Sequence, residues 1–273
     1  MEEHRVRKRF GQNFLVDGNI IRNIVAAIDP KPAQAMVEIG PGLGAMTRPL
    51  AAQLDRLHVI EIDRDLAARL REGDLADRLV IHEQDALKFD FGALSVELGS
   101  ALRVVGNLPY NISSPLLFHL ADHATCVTDL TFMLQKEVVD RIVAAPDTEA
   151  FGRLSVMLQY RFECAHVFDV PPGAFRPMPK VMSAIVQLRP RPVEQLAARD
   201  PQLMSDIVKA AFGQRRKTLR NTLREWLTQD DWDALALDAS RRGETLGVAD
   251  YVRIANHISN HTARPVTGHS AGA

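Results

Sequence analysis

The segment VEIGPGLG, Val37 to Gly44, joins an apolar run to three glycines spaced two apart. Glycines at such a turn let the backbone bend sharply and approach a ligand with no Cβ in the way. The pattern differs from the phosphate-binding G-x-G-x-x-G, because the third glycine comes one residue early and Pro41 fills the first gap. Glu61 ends the next apolar run, where a carboxylate takes both ribose hydroxyls of a nucleoside lying across the strand ends. Asp85 follows the third run, where an adenine amino group would lie. A glycine turn with two acids so placed (Gly40, Gly42 and Gly44 with Glu61 and Asp85) points to an adenosine-bearing cofactor. A fourth run ends in GNLPY, Gly106 to Tyr110. It brings a short polar residue, a rigid proline and an aromatic to the sheet edge where α/β enzymes carry their reactive groups.

These residues meet only if the apolar runs lie side by side. Short apolar runs alternate here with helical patterns, which predicts β/α units and a mostly parallel sheet. Strands are expected at Ala35 to Ile39, Leu57 to Ile62, Leu79 to His82, Arg103 to Val105 and Leu130 to Leu134. Helices are expected at residues 45–54, 65–72, 115–123 and 137–145, the third capped by Ser114 with Pro115 at its first position. Val167 to Val170 and Ala184 to Leu188 should close the sheet as an antiparallel pair around a Pro-rich loop, giving seven strands in a doubly wound α/β fold. Past Pro190 and Pro192 the periodicity is helical only, with helices expected at 204–212, 217–227, 232–235 and 249–258. The expected division is a catalytic domain over residues 1–190, a small all-α domain over 191–261, and a small, polar, disordered tail over 262–273.

A chain of 273 residues, 46% apolar and 25% charged, has the composition of a globular protein large enough to need no staples. Two cysteines, Cys126 and Cys164, exclude a disulfide framework and a four-cysteine zinc site, and are expected as small core side chains in a reducing compartment. No apolar stretch reaches the ~18 residues of a membrane span. The N-terminus lacks an apolar signal core, so a cytoplasmic location is expected. The net charge of −1 conceals segregation: residues 55–97 carry eleven acids against six bases. Three stretches carry bases and no acid, namely His4 to Val16, Val170 to Val193 and Ile207 to Arg224. Each alone is ordinarily a solvated face, whereas three together suit a polyanion such as nucleic acid.

With NLPY beside the glycine turn, the chain resembles the class I S-adenosylmethionine-dependent methyltransferases that modify an exocyclic amino group. RKRFGQNFL (Arg7 to Leu15), EID (Glu61 to Asp63), QDAL (Gln84 to Leu87) and FRPMPKVMSAIVQL (Phe175 to Leu188) narrow the resemblance to the small-subunit rRNA adenine N6,N6-dimethyltransferase family. The likeness runs from about Arg7 to about Ile258, in the family's motif order. It implies a Rossmann-like methyltransferase sheet with a helical RNA-binding domain, S-adenosylmethionine as cofactor, and no metal. The implied substrate is a pair of adjacent adenosines near the 3′ end of small-subunit rRNA, dimethylated by a monomeric enzyme on an assembling ribosomal subunit. Asn13 and Leu15 then match a lid over the cofactor, Gly40, Gly42 and Gly44 its loop, Glu61 the ribose clamp, and Asp85 the adenine contact. Asn107 lies between cofactor and base. Asn107 and a backbone carbonyl of Leu108 or a neighbouring residue would accept the two N6 hydrogens and favour a pyramidal, nucleophilic nitrogen, next to Pro109. Tyr110, with Phe175 as second aromatic, would sandwich a base that has left its helix. RNA contacts are expected from Arg7, Lys8, Arg176 and Lys180, and from Arg215, Arg216, Lys217, Arg220 and Arg224 along one side of a helix.

Ordinary alternatives exist for each. Asn107 can cap a turn, Tyr110 can be a core aromatic, Phe175 can pack its own loop, and Asp85 can cap a helix. His119/His123 and His257/His261 have i,i+4 spacing but lack the glutamate of H-E-x-x-H, and read as plain helix residues. GQRRKT, Gly213 to Thr218, lacks the glycine that a phosphate loop has before its lysine. Rival readings are a large-subunit rRNA dimethylase of the macrolide-resistance type, a non-catalytic RNA-binding relative, and a nicotinamide dehydrogenase. The third is disfavoured by the glycine spacing and NLPY. The second has no use for Asn107, Pro109 and Tyr110.

Overall fold

A computed structural model describes residues 13–261, the last by its backbone alone. In chain order the elements are β1 (Phe14–Leu15), α1 (Gly18–Ile28), β2 (Met36–Ile39), α2 (Thr47–Ala51), β3 (Leu57–Ile60), α3 (Arg64–Arg71), β4 (Leu79–His82), α4 (Phe91–Leu98), β5 (Leu102–Asn107) and α5 (Ser113–Asp122). There follow β6 (Val127–Gln135), α6 (Lys136–Val143), α7 (Arg153–Arg161), β7 (Phe162–Val170), β8 (Phe175–Arg176), β9 (Ser183–Pro190), α8 (Pro201–Phe212), α9 (Leu219–Thr222), α10 (Gln229–Leu235) and α11 (Val248–His261). Seven strands form one sheet in the order β4-β3-β2-β5-β6-β9-β7. β4, β3, β2, β5 and β6 run parallel, and β9 is antiparallel to both β6 and β7. β2 and β3 are buried along their whole length, as parallel strands covered on both faces must be.

The described residues of Met1–Val143 and Arg161–Arg191 form one compact unit, and those of Ala144–Tyr160 and Pro192–Ala273 a second. In the first, α1 shows why local sequence suffices for a helix. Asp17 accepts from the backbone N–H groups of Asn19 and Ile20 at 2.8 and 3.1 Å, and Ile24, Val25 and Ile28 repeat at helical spacing on its buried face. The buried Arg103 on β5 then ties the C-terminal end of α1 to the sheet. Its guanidinium reaches Asp129 at 3.0 Å, the carbonyls of Ile28 and Asp29, and the Gln34 side chain.

The second unit packs Met204, Ile207, Leu219, Leu223, Trp232 and Tyr251 into its own core. Phe151, Val156 and Tyr160 join that core, so the expected boundary at residue 190 is corrected for residues 144–160, which fold with the helical unit. Three further expectations are corrected. The helix expected over 217–227 shrinks to the single turn of α9, because residues 213–217 form turns and a bend instead. Ser114 does not cap α5, whose N-cap is Ile112 with no side-chain bond. Both cysteines are half-buried free thiols, not core side chains, and burial pushes Cys164 up to about 12. The tail after Thr262 lies outside the described residues.

Candidate active site

The chain reverses its direction across the sheet at β2: β3 and β4 extend one way, and β5 and β6 the other. Open α/β sheets bind ligands outside the carboxyl ends of the strands at such a switch point. Ile39 on β2 pairs with Gly106 on β5. A Cβ on Gly106 would stand 2.5 Å from the Ile39 carbonyl oxygen, so only glycine fits. A cavity of about 200 Å³ opens there, walled by the glycine turn, the ends of β3 and β5, and residues 13–15.

Gly40, Gly42 and Gly44 have φ of 65°, 57° and 81°, the left-handed region that favours glycine. At Gly42 a Cβ would also press on the Phe14 ring at 3.2 Å. Glu61 ties this turn to the next strand, since its carboxylate accepts from the N–H of Asp63 at 2.9 Å and of Gly42 at 3.3 Å. Burial pushes the Glu61 carboxyl up, and those two backbone bonds oppose the shift. Two bonds leave an ionised carboxylate with acceptor capacity for further hydroxyls. Asp85 lines the cavity and also accepts from the Leu87 N–H at 3.0 Å, so its capping and site placements coexist.

At the end of β5, the Asn107 side-chain amide donates to the backbone carbonyl of Asn13 at 3.1 Å. A carbonyl only accepts, so the nitrogen must face Asn13, and Oδ1 on the other side of the amide remains the acceptor. Leu15 is buried in the cavity wall. Leu108, Pro109 and Tyr110 also line the cavity, and the Tyr110 hydroxyl stands 2.9 Å from the buried Ser183 Oγ. Phe175 is a correction. It is fully buried with Leu15, Ile24 and Ala174, pairs with Leu15 through β8 and β1, and does not line the cavity. It therefore packs the loop that a base-stacking ring would have to leave.

The structure adds Glu38, on β2, which was not among the expected site residues. It is buried and lines the cavity. Neither Glu38 Oε2 nor Thr47 Oγ1 closes a hydrogen bond of good geometry among the described residues. Burial pushes the Glu38 carboxyl up to about 7, the nearby Thr47 hydroxyl offsets part of that, and Glu61 adds to it. The signal in the sequence was an acid inside an otherwise apolar run, MVEI. A buried carboxylate with one oxygen left without a hydrogen bond, beside a second carboxylate and a backbone-walled turn, fits a cationic nucleoside such as S-adenosylmethionine.

Arg7 and Lys8 lie outside the described residues. Arg176 and Lys180 are exposed in the first unit, and the Arg176 guanidinium donates to the carbonyls of Gly173 and Phe175 at 3.2 and 2.8 Å. In the second unit Arg215, Arg216, Lys217, Arg220 and Arg224 are all exposed, but on turns and a one-turn helix instead of one helical face. Leu219, Leu223 and Leu227 of the same stretch are buried in the core of that unit. Among the described residues no cluster of His, Cys, Asp or Glu is placed to hold a metal, and no helix is long and apolar enough to cross a membrane. His119 and His123 bond to backbone carbonyls.

Residues 3–260 match the family described as ribosomal RNA adenine dimethylase. The ribosomal RNA small subunit methyltransferase A of Aromatoleum aromaticum is 65% identical over 97% of this chain and 98% of its own, and that of Dechloromonas aromatica is 55% identical over 95% and 100%. A crystal structure of a dimethyladenosine transferase from Plasmodium falciparum superposes with a TM-score of 0.76 at 24% identity, covering 90% of this chain and 98% of that one. That of the 23S rRNA methyltransferase ErmE gives 0.67 at 25% identity, covering 90% and 100%. A family match along nearly the whole chain thus meets a cavity whose glycine turn and carboxylates suit the methyl donor, and the chain belongs to the ribosomal RNA adenine dimethylase family, a family of S-adenosylmethionine-dependent methyltransferases.

Proposed function

We propose that this enzyme dimethylates N6 of two adjacent adenosines near the 3′ end of small-subunit rRNA, acting as a monomer on an assembling subunit in the cytoplasm. The observation that carries the reading is the fixed orientation of Asn107 at the sheet's switch point, with its acceptor oxygen left for a substrate N–H. Bound S-adenosylmethionine supplies a methyl group on a sulfonium, already activated for transfer. An adenine N6 is a poor nucleophile because its lone pair is delocalised into the ring. Asn107 Oδ1 and the Leu108 backbone carbonyl accept its two N–H groups and draw the nitrogen toward pyramidal geometry. Tyr110, held at its hydroxyl by Ser183, offers a ring face to the extruded base. Glu61 and the glycine turn hold the cofactor, so that donor and nucleophile meet in line. The attacking nitrogen becomes acidic only after alkylation, so no strong base is needed before transfer.

The small-subunit assignment follows the name of the relatives at 65% and 55% identity. The test is incubation with labelled S-adenosylmethionine and unmethylated small subunits, with mature small subunits and large subunits as controls. Label at adenosine N6 in unmethylated small subunits alone is expected. Label in large-subunit rRNA would move the assignment to the macrolide-resistance type. Cofactor binding without transfer to any particle would indicate a non-catalytic relative.

A further inference from the structure

The loop between β8 and β9 exposes apolar side chains that the fold itself does not use. Met178 is 64% exposed, Val181 44% and Met182 38%. They are interleaved with the exposed cations Arg176 and Lys180, and no acid occurs between residues 170 and 193. Both ends of the loop are anchored. At one end β8 pairs with β1, and at the other the Lys136 N–H donates to the Met182 carbonyl at 2.9 Å. The next residue, Ser183, is fully buried and holds the hydroxyl of Tyr110, which lines the cavity. Pro177 and Pro179 restrict the backbone between these anchors. A proline-stiffened loop that displays methionines toward solvent has an apolar surface prepared for a partner.

We propose that Met178, Val181 and Met182 form a ledge on which the base next to the target adenosine stacks while that adenosine occupies the cavity. The proposal rests on the reading of the substrate as RNA. Taking one base out of a strand leaves its neighbours unstacked, and apolar side chains such as methionine take the place of the missing base in proteins that unstack nucleic acids. Alternation of Arg176, Met178, Lys180 and Met182 along the loop mirrors the alternation of phosphate and base along a strand. An apolar protein partner would gain nothing from the interleaved cations, which favour a nucleic acid.

The test replaces Met178, Val181 and Met182 with serine together, and separately Met178 and Met182 with leucine. Initial methylation rates are measured on unmethylated small subunits at several salt concentrations, with cofactor affinity measured by calorimetry. The serine variant is expected to raise KM for the particle about tenfold, within the range for loss of one stacked base. Its salt dependence should match wild type, because apolar contacts release no counterions. The leucine variant should restore most of the loss. An unchanged KM in a serine variant that binds cofactor normally overturns the ledge, as does wild-type protein that dimerises in solution and dissociates on this substitution. Wild-type protein that fails to label small subunits at all would instead overturn the substrate reading itself.

Discussion

The cavity at the end of β2 and the basic turn at residues 213–217 both present charge to a ligand, in opposite settings. In the cavity Glu38 and Glu61 are buried, and their carboxyls are held above their ordinary range by loss of water. On the turn Arg215, Arg216 and Lys217 are exposed. A charge out of water interacts strongly and in one geometry, and so it answers to pH. A charge in water interacts weakly and over distance, and so it answers to salt. The cavity should therefore respond to single atoms, and the turn to the number of cations.

The largest effect on the rate of transfer is expected at Asn107. Asn107→Ala should slow single-turnover methyl transfer by about 100-fold, the cost of a misplaced reacting group, with a smaller effect on RNA binding. A rate near wild type would remove Asn107 from the chemistry. Next comes Glu38, whose carboxyl titrates at about 7 when folded against an ordinary 4.5. A raised value means that its stabilising contribution is complete below about pH 4.5 and is lost as pH rises through 7. Between pH 5 and 8 that loss is on the order of 3 kcal/mol. Glu38→Gln should flatten urea-denaturation stability over this range, and an unchanged pH slope would mean that the carboxyl is already ionised at pH 5. A cationic cofactor held in the cavity that Glu38 lines would favour the carboxylate, so cofactor binding near pH 7 should release a proton. Calorimetry in two buffers of different ionisation enthalpy reads that proton directly.

Glu61→Ala should weaken S-adenosylmethionine binding by about 1.5–3 kcal/mol, as expected for hydrogen bonds to a charged group. Unchanged affinity by calorimetry would take Glu61 out of the cofactor site. Tyr110→Phe loses only the bond to Ser183 and should cost about 0.5–1.5 kcal/mol of stability with little change in rate, whereas Tyr110→Ala should be severe in rate. Smallest per residue is the turn. Replacing Arg215, Arg216 and Lys217 by alanine should lower the log–log salt slope of particle binding by ~0.7–0.9 for each phosphate no longer neutralised, and leave cofactor affinity unchanged. An unchanged slope would make the turn a solvated surface.

The strands were legible because parallel strands covered on both faces are nearly continuous apolar runs, as in Met36 to Ile39 with Glu38 as the one polar residue, and Leu57 to Ile60 with His58. The glycine turn, Glu61, Asp85 and NLPY were legible because each lies where an apolar run stops, which is where strand ends bring residues together. α1 carried a capping aspartate and regular isoleucines, yet it had no place in the expected β/α pattern because it precedes the first sheet strand. α7 was invisible as part of the helical unit, since nothing local in residues 144–160 says which of two cores will bury Phe151 and Tyr160.

The sequence alone determined which residue types stand at the strand ends, and with them the cofactor class and the family. Tertiary structure alone decided three other matters. It turned Asn107 by giving its amide the Asn13 carbonyl as partner. It buried Phe175 in the core on a strand paired with β1, although a phenylalanine in a proline-rich loop reads equally well as a stacking ring. It also stripped water from Glu38, which local sequence marks only as an acid among apolar neighbours. Orientation, burial and acidity all depend on groups distant along the chain. Spacing in sequence records which groups are near in a strand or helix, and those three properties are set by contacts made across them.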